Sequence, residues 1–169
     1  MFVLPLTVSV ALAAPLLHDN LPNPAECLTM EVRDKDADRD KENVWDVVTL
    51  RLKAQNGCEK GLSAFSGVLV AHPKHQVGGD EPVQAALRVD YNDMPLKSGE
   101  PQKLRLSYQV WDGGFDEDIW LFAAPFDSIS FTWIPTLIVF DDGSVARFTG
   151  APTPNPRPAV DPRATTEKD

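Results

Sequence analysis

The stretch Ile129–Phe148, ISFTWIPTLIVFDDGSVARF, sets the reading of everything around it. Ile129, Phe131 and Trp133 alternate with more polar neighbours, the period of a half-buried strand. Pro135 has no N–H to give a ladder and fits an edge or a bend. Beyond it Leu137–Phe140 is apolar at every position, the pattern of a strand covered on both faces. Asp142-Gly143 supplies residue types that tolerate positive φ in a tight hairpin, and Val145–Phe148 returns. The stretch reads as the closing β unit of an all-β domain, and it specifies a fold more sharply than an activity.

Working outward, the same alternation recurs upstream. Leu104, Leu106, Tyr108 and Val110 mark one strand, and Val83, Ala85, Leu87, Val89 and Tyr91 mark the one before it. Pro95, Ser98-Gly99 and Pro101 between them are turn chemistry. Phe65–Ala71 is apolar enough for the middle of a sheet, and Gly67 within it marks a bulge or a close backbone approach. Val48, Leu50, Leu52 and Ala54 form a strand that stops at Asn56-Gly57. Leu28, Met30 and Val32 form the first, with Cys27 expected on its polar face. About seven strands, with no helix longer than a turn or two, specify an immunoglobulin-like antiparallel β-sandwich over residues 27–150.

The flanks differ in kind. Residues 1–14 are apolar apart from Thr7 and Ser9 and end in Ala11-Leu12-Ala13-Ala14, resembling a secretory signal peptide and its small-residue cleavage site. Residues 15–26 read as a linker. Residues 151–169 hold five of the fifteen prolines and no periodicity, the composition of a disordered tail. The apolar run at the start is too short to span a bilayer, so no membrane span is expected once it is removed. Net charge is −9, and charges within the tail cancel, so the acid excess lies on the domain. Such a surface repels phosphate backbones and argues against nucleic acid as a partner. Cys27 and Cys58 are the only cysteines, and an exported chain with one pair invites a Cys27–Cys58 disulfide.

Three regions carry residues with chemical potential. Asp34–Asp46 has the Asp-x-Asp-x-Asp spacing of a calcium loop, but position 6 counted from Asp34 is Arg39 and position 12 is Trp45. Interleaved cations point instead to a solvated connection between strands. His72 and His75 flank Pro73 without a third ligand, so surface histidines are expected and no metal or cofactor. In the irregular region Trp111–Phe126, acids crowd beside Phe115, Trp120 and Phe122. A short helical turn there would close one end of the sandwich. Trp120, Phe122, Asp116 and Asp118 are the candidate binding residues, for an unknown protein or glycan partner. A carbohydrate-active alternative would use residues 112–122, but catalytic acid pairs come from separate elements facing each other across a groove. No catalytic residue is assigned, and an exported, non-enzymatic, monomeric or weakly associating module of the envelope is the expectation.

Two resemblances add to this. Leu50–Asn56 followed by Leu62–Val70, with its x-x-F-x-G-x-V-x-V strand, resembles the small immunoglobulin-like (FxLYD-like) domains of bacterial exported and envelope proteins. Trp133–Ser144 resembles their closing segment. The resemblance implies an interaction module of the envelope without catalytic residues. Ile134–Phe140 with Gly143 and Phe148–Gly150 is also similar to the cis-proline hairpin of thioredoxin. That fold's chemistry needs a Cys-x-x-Cys at a helix N-terminus, which this chain lacks.

Overall fold

The computed structural model describes residues 27–39, 45–75, 84–92, 95–111 and 115–154. The signal-like segment 1–14, the linker 15–26 and tail residues 155–169 lie outside them, as do Asp112 and Val83. Among the described residues seven strands form two antiparallel sheets: β1 (Leu28–Arg39), β2 (Trp45–Asn56), β3 (Leu62–Pro73), β4 (Ala85–Tyr91), β5 (Pro101–Trp111), β6 (Ile129–Phe140) and β7 (Val145–Arg147). One sheet has the order β1-β2-β5 and the other β4-β3-β6-β7. The chain is an all-β, immunoglobulin-like sandwich. Its fourth strand lies beside the third, giving three strands against four, where a constant-type domain returns it to the first sheet.

The core follows the alternation. Val48, Leu50, Leu52 and Ala54 of β2 face Phe65, Leu69 and Ala71 of β3, Ala85, Leu87 and Val89 of β4, and Ile129, Ile138 and Phe140 of β6 in one buried cluster. Each large aliphatic side chain fully withdrawn from water stabilises the fold by about 1.5–3 kcal/mol. Gly67 meets the expectation of a close approach. It lies beneath the Trp133 ring, and the β3–β6 register shifts between Ser66 and Gly67. Thr136 is the extra residue on β6 at that shift, and Pro135 stands next to it opposite Gly67. The bend foreseen for Pro135 is thus a bulge inside a continuous strand. Leu137 and Val139 are half-buried, so the outer face of this segment is covered less than its apolar sequence implies. In the closing hairpin the Gly143 N–H donates to the Phe140 carbonyl at 3.0 Å with Gly143 at φ 82°. This is the tight turn that Asp142-Gly143 announces.

Two expectations need correction. The acidic run is not a connection over its first half, because β1 continues through it to Arg39 and β2 begins at Trp45, while residues 40–44 lie outside the described residues. A bulge between Val32 and Asp34 inverts the alternation. Asp34 and Asp36 then pair across the outer face with Arg51, at 3.3 and 2.8 Å, while Lys35 lies opposite the core residue Leu50. A strictly period-2 reading would have pointed Asp34 inward. Cys27, expected on a polar face, is buried, because the ladder starts only at Leu28 and its alternation does not govern the residue before it.

Candidate functional site

The end of the sandwich reached by Trp111 is closed by α1 (Asp116–Ala123), which lies against β2, β4 and β5. A 3-10 turn (Phe126–Ser128) leads from it into β6. Asp116, Glu117 and Asp118 occupy the first turn, where carboxylates meet the positive end of the helix dipole. Phe115 stands at the N-cap, its carbonyl accepting from the Asp118 and Ile119 N–H groups at 2.9 and 3.2 Å. Leu121 is buried and anchors the helix to the core.

The last turn of α1 has no basic residue of its own. Lys35 of β1 supplies the charge: its Nζ donates to the Phe122 carbonyl at 3.1 Å and the Ala124 carbonyl at 2.7 Å. Burial holds the Lys35 ammonium below the usual lysine range. Arg39, on the same side of β1, lies over the Phe122 ring at 6.0 Å. The charge run therefore pins α1, a role that only the Arg33 bulge makes available. No periodicity in the sequence announces that contact.

The four candidate binding residues do not form one surface. Asp116 is exposed, Asp118 is buried, and Trp120 and Phe122 are half-buried against the core. Exposure of the aromatic pair, on which the sequence reading rested, is not what the fold provides. The exposed large apolar side chains at this end are instead Phe115, at 48%, and Ile119, at 43%. Phe115 is the N-cap residue of α1 and Ile119 lies one turn into the helix, with Asp116 following Phe115 in the chain. The short helical turn expected here does close this end, but residue spacing alone does not tell which of its apolar side chains stay outside.

The other candidate residues fall elsewhere. Cys27 and Cys58 are joined in a disulfide, Cα–Cα 4.8 Å, at the opposite end of the three-stranded sheet. His72 is half-buried with Nδ1 3.4 Å from the Pro73 carbonyl oxygen, and His75 is exposed. Among the described residues no three His, Cys, Asp or Glu side chains gather where they could hold a metal ion. Nor is any helix there long and apolar enough to cross a membrane. The disulfide fits an oxidising compartment. Comparison with protein-family models, curated proteins and solved structures finds no match to this chain.

Proposed function

We propose that this chain is an exported, non-enzymatic binding or structural module of the cell envelope. The observation that carries the reading is Phe115 and Ile119, two large apolar side chains exposed at the N-cap and in the first turns of a helix that Lys35 and Leu121 hold in place. An immobilised apolar pair beside a carboxylate is a contact surface that pays little ordering entropy on binding. The signal-like segment 1–14, the disulfide and the resemblance to FxLYD-like domains support the compartment. The acids of α1 share a single helix, and Asp118 is turned inward, which favours binding over glycoside hydrolysis.

The test is co-purification from native envelope extract with the wild type and with the double variant Phe115→Ser/Ile119→Ser. Both side chains are exposed, so the variant is expected to keep its melting temperature and lose its partner. Identical partners on both proteins would refute the surface. Retention of a reporter in the cytoplasm when fused behind residues 1–26 would refute export.

A further inference from the structure

The sheet edge at the first half of β6 differs from the others. β7 pairs only with Leu137–Val139, and the last bond on that side runs from the Phe148 N–H to the Thr136 carbonyl, 3.0 Å. The Lys74 N–H donates to the Ser128 carbonyl at 2.9 Å, which sets the phase of the β3–β6 ladder. From Ser130 to Ile134 the even-numbered residues turn their backbone groups to β3, and the odd-numbered ones turn theirs away. Pro135, with no N–H, falls on an outward position, as an edge requires. The Ile129 N–H is taken by the Phe126 carbonyl. Among the described residues no backbone hydrogen bond reaches the outward N–H and C=O groups of Phe131 and Trp133.

The remaining edges are blunted in familiar ways. β1 carries the bulge at Arg33, and β5 begins with Pro101 and bears Lys103 and Arg105. β4 bears Arg88 and Asp90, and the Arg88 carbonyl is covered by the Tyr108 hydroxyl at 3.0 Å. Ile129–Pro135 has no charged residue at all. That matters for one partner above others. Two identical strands set antiparallel about a two-fold axis oppose like charges at the axis and repel through any net charge that the segment carries, and a neutral segment incurs neither cost.

We infer that Ile129–Pro135 is a self-pairing edge, joining β6 of two copies of this chain antiparallel about an axis at Thr132. That register places Thr132 opposite Thr132 and Phe131 opposite Trp133 of the second copy, the threonine and aromatic cross-strand pairs that favour a ladder. Phe131 and Trp133 become the hydrogen-bonded pair, each giving an N–H and accepting at its carbonyl on both sides of the axis. Pro135 then lies at the margin of the ladder, where its missing donor costs nothing. The four-stranded sheets of the two copies merge into one.

Sedimentation velocity over a concentration series tests this on the full mature chain. The wild type is expected to show a monomer–dimer equilibrium. Thr132 is exposed on the outer face, so Thr132→Lys keeps the fold, checked by its melting temperature, while weakening association about ten-fold by opposing like charges. An equimolar mixture of Thr132→Lys and Thr132→Glu restores the dimer. Thr132→Cys forms an intermolecular disulfide on a non-reducing gel. A wild type that stays monomeric throughout, or a dimer indifferent to Thr132→Lys, overturns the inference. So does a Thr132→Cys protein that fails to cross-link. The Phe115→Ser/Ile119→Ser variant leaves this equilibrium unchanged.

Discussion

The Asn56 side chain has no exposed surface and satisfies its whole surroundings. Its Nδ2 donates to the Lys60 carbonyl at 2.8 Å and the Leu96 carbonyl at 3.0 Å, and its Oδ1 accepts from the Cys58 N–H at 2.9 Å. In Asn56→Asp a carboxylate faces both carbonyls, so denaturant unfolding is expected to show a loss of about 3 kcal/mol or more. A loss below 1 kcal/mol in that measurement would contradict the network, on the same scale of costs. Gly67 is constrained by space: an added Cβ would meet the Ile134 carbonyl oxygen at 2.6 Å as well as the Trp133 ring. Neither is the free end of a flexible side chain, so Gly67→Ala is expected to cost about 1–3 kcal/mol, read as a lowered melting temperature. Asp142 is exposed in the closing turn. Its carboxyl is held well below the usual carboxylate range by a hydrogen bond from Lys60, then by the Ser144 hydroxyl and N–H. A lowered folded-state pKa contributes stability above the unfolded value, near 3.9, that fades as pH falls through the folded one. Asp142→Asn is therefore expected to lower the melting temperature slightly at neutral pH, the pair being solvent-screened, with the difference from wild type vanishing as pH falls below about 4.

Among the elements, α1 depends most on a residue far from it in sequence. Lys35→Met removes the donors to the Phe122 and Ala124 carbonyls while keeping the aliphatic stem. The expected loss is about 1–3 kcal/mol, felt mainly at the helix. Amide hydrogen exchange should quicken over Asp116–Ala123 with the β2 and β3 ladders still protected. Uniform protection would remove Lys35 from its role as latch. The strands themselves were legible: the buried series Val48 to Ala54 and Ala85 to Val89 are read directly from period 2. What escaped were the places where period 2 breaks. The bulge at Arg33 re-aimed Lys35, and the shift at Thr136 let a proline stand inside a strand. The short helical turn expected at this end is present, but which of its residues stay outside was not legible, since Lys35 and the sheet ends position it more than its own short sequence does.

For the molecule as a whole, the Cys27–Cys58 bond closes a sequence separation of 31 residues and ties the start of β1 to the loop after β2. In the chain-entropy description a loop of that length is worth about 3–4 kcal/mol. Calorimetry of Cys27→Ala/Cys58→Ala should show that loss. An unchanged melting temperature would mean that the bond constrains nothing the ladder does not already hold. The charged arms of β1 and β2 are laid out along strands, with Asp34 and Asp36 facing Arg51 and Asp46 facing Arg39. Oxygens so placed do not converge on a cation, and millimolar calcium is expected to leave the melting temperature where it is.

Class, strand positions, the closing turn and the cysteine pairing follow from residue types taken in order, because each rests on near-neighbour physics: alternation, turn chemistry and an even thiol count. Which strand joins which sheet, the inward turn of Lys35 and Asp118, and the exposure of Phe115 and Ile119 in place of Trp120 and Phe122 do not. Those depend on what lies across the sandwich or at the end of another strand, and such neighbours are assigned by packing over the whole chain.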